Sequence, residues 1–358
     1  MSVNAVVDPN MLLEARVLKC LQRITTEPGG ADVVSTEQVF TVVATSGVVR
    51  VFLDPQYIPM DAMEELAATM TPLVKSIPGV DRVIVKPRPQ SVQLQNKLPG
   101  ITHVVAIHSG KGGVGKSTVA VNLAVALAQQ GLRTGLLDAD IYGPSCPTML
   151  GIQGRVESTA DGRQIRPQQH HGVKIMSLGL LLPPGEALVW RGSLVEQGLS
   201  QLFADVDWGE LDMLLVDLPP GTSDVHLAVA RHAPLDGVLV VTAPGQVAVD
   251  DVRRGLEMYA DIKVPCLGLI ENMAGFRCRQ CGAVGHVFGN NGGQDLAQEI
   301  GISLLARMPF DPVIAAQSDA GVPLLIGNPQ SSSAAQFVQL AQHLNAHFKT
   351  VQTGAFVQ

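Results

Sequence analysis

The chain has few charged residues, no excess of positive charge, no long uninterrupted hydrophobic run and only five cysteines. Charged residues make up 16% and hydrophobic residues 46% of its 358 positions, which excludes a largely disordered chain and describes a compact globular protein. The formal net charge of -7 argues against a general nucleic-acid-binding protein, because such proteins usually carry a basic face or excess.

The N-terminal region contains no hydrophobic segment as long as a secretion signal or a membrane span. Five cysteines are an odd number in a large chain, which does not fit a disulfide scaffold. We therefore expect a cytoplasmic protein, with neither membrane nor nucleic acid among its partners. Any cysteine pair in it is expected to serve metal or redox chemistry.

The order of apolar and polar stretches predicts two domains. After an N-terminal tail (1–10), residues 11–86 read as helix, strand, strand, helix and strand, which predicts a small α/β domain. Residues 87–101 are rich in proline, glutamine and polar residues and predict a linker. A larger domain follows over residues 102–350, and residues 351–358 form a C-terminal tail.

Continuous apolar runs alternate with helices in the larger domain. This pattern predicts a mostly parallel sheet covered by helices on both faces, with ligands bound at the carboxyl ends of the strands. The strands are expected at residues 103–108, 134–137, 213–216, 237–242, 267–270 and 304–308.

The segment SGKGGVGKST at residues 109–118 matches the phosphate-binding pattern G-x-x-x-x-G-K-S. Its glycines let backbone N–H groups surround phosphates, its second lysine reaches the outer phosphates, and its hydroxyl holds Mg²⁺. It lies between a predicted strand and a predicted helix, so we interpret it as a nucleotide site rather than a plain turn. The predicted binding residues are Gly110, Gly112, Gly113, Val114, Gly115, Lys116, Ser117 and Thr118, with Ser117 on Mg²⁺.

Acidic residues end two other predicted strands. Asp138 and Asp140 follow one strand, where a carboxylate can orient water or hold the shell around the cation. Asp140 is the candidate water-activating residue. Asp138 is a candidate cofactor-binding residue, against the alternative of a carboxylate that only supports other ligands or caps a helix. Asp217 is the candidate Mg²⁺-linked carboxylate, and Gly221 the backbone donor of a phosphate-sensing loop, against the alternative of a capped Pro-Gly turn.

A C-x-x-C pair, Cys278 and Cys281, lies in a glycine-punctuated loop between Arg277 and Gly282. Zinc in a structural site, or an iron–sulfur cubane, needs four ligands, so one chain supplies half a site and a symmetric dimer would complete it. Arg277 and Arg279 would offset negative charge there. Zinc across a dimer, a thioredoxin-like redox pair and an inert turn all remain open at this point.

Three segments together resemble the Mrp/ApbC family of iron–sulfur carrier P-loop ATPases, which belong to the deviant Walker A class. The resemblance covers about residues 100–345. Its segments are SGKGGVGKST (109–118), DADIYGPS (138–145) and DLPPGT (217–222), followed by WRG (190–192), ENM (271–273), FG (288–289) and PFDP (309–312).

The resemblance implies a homodimeric ATPase that binds ATP and Mg²⁺ and hydrolyses ATP slowly. Lys111 would reach the partner's nucleotide and act in catalysis with Lys116 and Asp140. Asn272 would bind the adenine, and Asp311 would lie near the base or ribose. A [4Fe-4S] cluster bridging the cysteine pairs of two subunits would come from a donor protein and pass to apoprotein acceptors.

The resemblance is weaker at the N-terminus. Residues 11–86 are similar to a MIP18-like domain but lack its Asp-Pro-Glu signature and its cysteine, so no cluster-binding role is carried over to them.

Three rival functions differ in what they require of the sequence. A MinD/ParA-like positioning ATPase needs a basic membrane- or DNA-binding surface, whereas residues 334–347 contain no lysine or arginine. A nitrogenase-type reductase contributes well-separated single cysteines, not C-x-x-C. A zinc-bridged regulatory ATPase is the nearest rival.

Overall fold

The structure is a computed structural model, and it describes residues 9–25, 30–36, 38–45, 47–54, 57–87, 98–141, 143–154, 156–159, 162–181, 193–278 and 280–353. It divides into two compact units, Met1–Gln93 and Leu94–Gln358. Most of the predicted linker, the segment WRG (190–192), Tyr142 and Arg279 lie outside the described residues. The exact domain bounds therefore stay predictions.

The first unit contains the helices and strands expected from the sequence, in the expected order. They are α1 (Pro9–Leu21), β1 (Val39–Thr45), β2 (Val48–Leu53), α2 (Met60–Lys75) and β3 (Arg82–Pro87). Strand β2 pairs antiparallel with β1 and parallel with β3. Apolar side chains from both helices and the sheet form one core, in which Val17, Val49 and Met70 are fully buried.

The second unit is built on an eight-stranded sheet within its described residues, in the order β15-β12-β11-β4-β10-β5-β9-β8. All neighbours are parallel except β8, which runs antiparallel to β9 at the edge. The strands of this sheet are β4 (Ile101–Ser109), β5 (Thr134–Asp138), β8 (Gln168–His170), β9 (Val173–Ser177), β10 (Leu211–Asp217), β11 (Gly237–Thr242), β12 (Cys266–Glu271) and β15 (Leu304–Arg307).

Helices cover both faces of this sheet. They are α3 (Lys116–Gln129), α4 (Cys146–Met149), α5 (Ser193–Ala204), α6 (Asp224–His232), α7 (Gln246–Asp261), α8 (Gly292–Ile300), α9 (Pro312–Asp319), α10 (Leu324–Gly327) and α11 (Ser332–Thr353). Two small pairs complete the unit: β6 (Glu157–Ser158) with β7 (Ile165–Arg166), and β13 (Phe276–Arg277) with β14 (Val284–Gly285). The predicted α/β fold class is confirmed.

The central strand shows why the sheet is buried on both faces. Successive side chains of a strand point to opposite faces, and in β4 Val104 and Ala106 join one apolar cluster while Val105 and Ile107 join the other. A strand that is apolar at every position therefore has to lie between two helical layers.

Parallel strands also bring their carboxyl ends to one edge of the sheet. Asp217 at the end of β10 is the register partner of both Asp138 at the end of β5 and Ile107 near the end of β4. The phosphate-binding loop follows β4 directly. The predicted site residues of three separate segments therefore meet at this edge.

Helix α3 begins at the phosphate-binding loop and is buried along most of its length. It packs against α11, and both helices belong to the same apolar cluster. No helix in the described part of the chain is long and apolar enough to cross a bilayer.

The buried position of α3 gives a stability prediction. Leu123→Ala removes a fully buried side chain, so we expect the free energy of unfolding to fall by about 2–5 kcal/mol, measured by urea denaturation of the full chain. Ile300→Ala at the exposed end of α8 is the control, with an expected change below about 1 kcal/mol. Equal losses in the two variants would contradict the assignment of α3 to the core.

Candidate functional site

The loop over residues 110–118 joins β4 to α3 and depends on its glycines. Gly113 and Gly115 have φ angles of 83° and 84°, in the left-handed region that other residues rarely adopt. A Cβ on Gly115 would lie 2.3 Å from Nδ2 of Asn272, and a Cβ on Gly110 would lie 2.5 Å from the backbone of α7. Glycine is thus needed both for the curvature and for close approach of neighbouring elements.

A cavity of about 180 Å³ lies over this loop. Two lysines, three glycines and four hydroxyl-bearing side chains are among the residues that line it, which fits a phosphate chain and a divalent cation. Among the predicted site residues, those that line it are Lys111, Gly112, Gly113, Gly115, Lys116, Ser117, Thr118 and Asp140.

A buried ion pair forms the base of this cavity. Nζ of Lys116 lies 2.7 Å from Oδ1 of Asp217, and Oγ of Ser117 donates to Oδ2 of the same carboxylate at 2.6 Å. Only 6% of the Lys116 side chain and none of the Asp217 side chain is exposed. Burial lowers the pKa of Lys116, but the charge and hydrogen bond of Asp217 outweigh it and the pKa is raised. The lysine therefore stays protonated.

Asp138 is held by backbone donors on both oxygens. Oδ1 accepts from the N–H of Asp140 at 3.1 Å, and Oδ2 accepts from the N–H groups of Ser145 and Cys146 at 3.0 Å each. Burial and the charge of Asp217 raise the pKa of this carboxyl. Asp138 thus holds the turn after β5 and the start of α4, and its part in nucleotide binding stays a prediction.

The segment after β10 is tied to the phosphate-binding strand. Leu218 N–H donates to the carbonyl of Ile107 at 3.1 Å, and Gly221 N–H donates to the carbonyl of Ser109 at 2.8 Å. Gly221 has a φ of 76°. The backbone N–H of Gly221, the predicted donor to the γ-phosphate, is thus bonded to the end of β4 beside the phosphate-binding loop, and its contact with phosphate stays a prediction.

A pair of buried histidines makes a further link that the sequence did not indicate. Nδ1 of His226 lies 3.1 Å from the backbone nitrogen and 3.2 Å from the carbonyl oxygen of Ser223, and Nε2 of His226 lies 3.2 Å from Nδ1 of His108. His108 ends against α7, where a Cβ on Gly255 would lie 2.2 Å from its Nε2. Burial lowers the pKa of His108 to about 3 and that of His226 to about 4.

Asn272 and Asp311 make contacts within the protein. Nδ2 of Asn272 donates to the carbonyl of Val114 in the phosphate-binding loop at 2.8 Å. Asp311 caps α9 by accepting from the N–H of Val313 at 3.0 Å, and its other oxygen accepts from Ser333 at 3.2 Å. Asn272 thus lies next to the predicted nucleotide site, and the adenine and ribose contacts stay predictions.

The C-x-x-C pair lies in the turn between β13 and β14. Cys278 N–H donates to the carbonyl of Ala283 at 2.8 Å, and Gly282 N–H donates to that of Cys278 at 2.9 Å. Cys281 is exposed and Cys278 is half-buried. Backbone N–H groups of Cys281 and Gln280 lower the pKa of the Cys278 thiol. The turn therefore presents two thiols at the surface and favours the thiolate at Cys278.

Two more cavities lie in this unit, the first at this turn and the second beside the phosphate-binding loop. One of about 700 Å³ lies between the hairpin and the segment after β15, with Cys278, Arg307, Phe310 and Asp311 in its wall. Another of about 450 Å³ is lined by Lys111, Val247 and Phe288. Val247 is 66% exposed, and Val284, Val287 and Phe288 are also exposed. Exposed apolar side chains thus line both cavities, which is typical of an interaction surface.

Cys146 is a buried thiol next to the ion pair. Its side chain is fully buried, and its Sγ lies 3.5 Å from Oδ2 of Asp217. The sequence contained no signal for this contact, nor for the histidine pair, because the partners are 71 and 118 residues apart.

The fold and the site define a P-loop nucleoside triphosphatase. The profile of the family described as "NUBPL iron-transfer P-loop NTPase" matches residues 100–345. The chain belongs to this Mrp/NUBPL family of iron–sulfur cluster carrier P-loop NTPases, as its resemblance to the Mrp/ApbC family predicted.

Curated relatives agree with this assignment. The chain is 42% identical over 257 residues to the iron-sulfur cluster carrier protein of Aquifex aeolicus, covering 72% of this chain and 71% of the relative. It is 41% identical over 255 residues to that of Escherichia coli, covering 71% and 69%. It is also 43% identical over 249 residues to an Arabidopsis thaliana iron-sulfur protein required for NADH dehydrogenase, covering 69% and 79%.

Solved structures show the same fold. A nucleotide-binding protein from Archaeoglobus fulgidus, in complex with ADP and with cobalt found in it, is 36% identical with a TM-score of 0.56, over 65% of this chain and 91% of that one. The septum site-determining protein MinD from Pyrococcus horikoshii, complexed with Mg-ADP, is 23% identical with a TM-score of 0.53, over 69% and 97%.

The buried ion pair predicts that removing one of its charges destabilises the chain more than removing both. Lys116→Ala leaves the Asp217 carboxylate buried without its cation, so we expect the free energy of unfolding to fall by about 3–5 kcal/mol in urea denaturation. The double variant Lys116→Met/Asp217→Asn removes both charges and should regain most of that loss. Lys111→Ala at the exposed lysine is the control, with a change below about 0.5 kcal/mol. A double variant no more stable than Lys116→Ala would contradict this account.

The histidine pair predicts a loss of stability in acid. Both histidines have lower pKa values in the folded chain than the usual 6.5, so unfolding takes up protons below pH about 6.5. Each histidine then lowers the free energy of unfolding by up to about 1.4 kcal/mol per pH unit between pH about 6 and 4. We expect His226→Asn to reduce this slope in urea denaturation at several pH values. An unchanged slope would show that the pair does not titrate as its burial indicates.

Proposed function

We propose that the chain is an ATP-hydrolysing iron–sulfur cluster carrier that works as a homodimer. Two subunits would hold one [4Fe-4S] cluster between their Cys278 and Cys281 pairs and pass it to apoproteins. The observation that carries the proposal is that Lys111, the exposed Val247 and Phe288 line one cavity. Phe288 packs against Phe310, which lines the neighbouring cavity with Cys278 of the two-thiol hairpin.

Closing two such surfaces on each other would complete two sites at once. The exposed Val247, Val287 and Phe288 would lose contact with water, which favours association. Lys111 would then meet the partner's nucleotide, and the two hairpins would supply four thiolates in total. Completion of both sites by one contact supports nucleotide control of cluster handling.

The nucleotide part of the proposal assigns a role to each residue of the cavity. Backbone N–H groups of residues 110–118 and the Lys116 ammonium would hold the phosphates, and Ser117 and Asp217 would hold Mg²⁺. Mg²⁺ would neutralise charge on the phosphate oxygens. Water oriented by Asp140 would attack the γ-phosphorus and release a proton to solvent, while the bond to the bridging oxygen breaks and ADP leaves with its electron pair. Lys111 would offset the charge that develops.

The cysteine hairpin would offer the iron–sulfur cluster a thiol that ionises readily. Lowering of the Cys278 pKa favours the thiolate that an iron–sulfur cluster needs as ligand. His286 lines the neighbouring cavity but has its Nδ1 3.3 Å from the carbonyl of Ala274, which supports a structural role for it.

The remaining parts of the sequence interpretation are kept as predictions. These are the domain bounds 11–86 and 102–350, the cytoplasmic location, the absence of membrane and nucleic-acid partners, and the existence of a cluster donor. A positioning ATPase finds little support in α11, in which Lys349 is the one lysine or arginine.

Anaerobic reconstitution tests the carrier function. We expect about four iron and four sulfide per dimer, with the visible absorption of a cubane cluster. Cys278→Ala and Cys281→Ala should each lose the cluster, whereas Cys20→Ala, in the first unit, should keep it. Transfer to an apo-enzyme completes the test.

Two results would overturn the proposal. Stoichiometric zinc in place of iron would favour the zinc-bridged regulatory ATPase. A cluster that survives both hairpin substitutions would show that the thiols of the hairpin are not its ligands.

A further inference from the structure

Three buried side chains beside the phosphate-binding loop present donor atoms to one another. Asp138, Cys146 and Asp217 each offer one ligand atom, and these atoms all lie within 4.8 Å of one another. Ligand atoms on one Zn²⁺ lie about 2.0–2.3 Å from the ion, hence less than about 4.6 Å apart. A small shift of one side chain would therefore bring all three to bonding distance of a single cation.

The sulfur lies next to the position of the expected cation ligands. Oγ of Ser117 and Sγ of Cys146 both lie against Oδ2 of Asp217, at 2.6 and 3.5 Å. A cation held by Ser117 and Asp217 would thus have a sulfur donor within reach. The 180 Å³ cavity, which reaches Ser117 and Ser145, gives access from solvent next to Cys146.

The charges around the three donors also favour a cation. Lys116 pairs with Asp217, whereas the hydrogen bonds of Asp138 come from three backbone N–H groups. Two buried carboxyl groups therefore lie beside one ammonium group, and burial and the charge of Asp217 raise the pKa of Asp138. An additional positive charge would favour the ionised form of Asp138.

The chemistry of the donors selects the kind of cation. Mg²⁺ takes oxygen ligands and gains nothing from a thiol, whereas Zn²⁺, Co²⁺ and Fe²⁺ bind thiolate and carboxylate together. We propose that Cys146, with Asp138 and Asp217, makes the cation site of this P-loop a binding site for thiophilic divalent cations. Three protein donors leave a further position for water or a phosphate oxygen.

Binding changes one covalent bond on the protein. The S–H bond of Cys146 breaks, a sulfur–metal bond forms, and the proton passes to solvent, with no change of oxidation state. Such a cation would compete with Mg²⁺ for Ser117 and Asp217. The inference rests on the proposed function only in placing the nucleotide's cation at these two residues, and it does not require the iron–sulfur cluster.

Titration of the full chain with Co²⁺ alone tests the proposal. The Cys278→Ala/Cys281→Ala variant serves as background, because it removes the hairpin thiols. We expect about one Co²⁺ per chain with thiolate-to-cobalt charge-transfer absorption, and partial displacement by excess Mg²⁺. Adding Cys146→Ala should abolish the absorption and weaken Co²⁺ binding about tenfold or more.

Two further variants keep the result interpretable. Cys146→Ser in the same background retains a small polar side chain and should bind Co²⁺ without the charge-transfer absorption. Cys266→Ala should leave the absorption unchanged. No absorption in the background chain, or absorption that survives Cys146→Ala, would overturn the proposal and leave a buried thiol that only donates to Asp217.

Binding of Mg-ADP to the same samples tests the proposed function separately. A background chain that binds Mg-ADP but shows no cobalt–thiolate absorption disproves the thiophilic site and leaves the nucleotide site intact. Cobalt–thiolate absorption in a chain that does not bind Mg-ADP supports the metal site and counts against the nucleotide site.

Discussion

The ion pair between Lys116 and Asp217 is the contact on which the rest of the site depends. It joins the first residue of α3 to the last residue of β10 and places the ammonium group at the base of the cavity. Because Asp217 already satisfies this charge, a phosphate that binds there exchanges one partner of the lysine for another. The net gain from the lysine is therefore smaller than its charge alone suggests.

The segment after β10, which begins next to this ion pair, is attached to the neighbouring strand β4. Backbone hydrogen bonds from Leu218 and Gly221 attach the segment after β10 to the strand that precedes the phosphate-binding loop. His226 repeats the attachment one turn into α6 through His108. A shift of the segment on nucleotide binding would therefore move the carboxyl end of β4 and the start of α6. The coupling needs no long pathway, since the elements are direct neighbours.

Sequence reasoning predicted the features that depend on local pattern. Six of the eight strands of the larger sheet were predicted from continuous apolar runs. The glycine-lysine motif at residues 109–118 also predicted the position of the phosphate-binding loop between a strand and a helix. Strands β8 and β9 were missed because Gln168–His170 is short and polar and Lys174 interrupts the next run.

The missed contacts join residues far apart in the chain. Asp138 holds the start of α4, His226 meets His108, and Cys146 meets Asp217. Each of these depends on the order of strands in the sheet, which brings together segments with no local sequence signal in common. The role of a residue such as Cys146 thus becomes visible only when its neighbours across the sheet are known.

The approach of α7 to β4 has an evolutionary consequence. Gly255 lies in the middle of α7 because any Cβ there would collide with the imidazole of His108. A smaller residue at position 108 would leave room for a Cβ at position 255. Conversely, a residue larger than glycine at position 255 would require a smaller residue at position 108. The two positions, 147 residues apart in sequence, are therefore expected to change together during divergence. Alanine at position 255 would be tolerated in a relative with a small residue at position 108 and would destabilise a relative with histidine there.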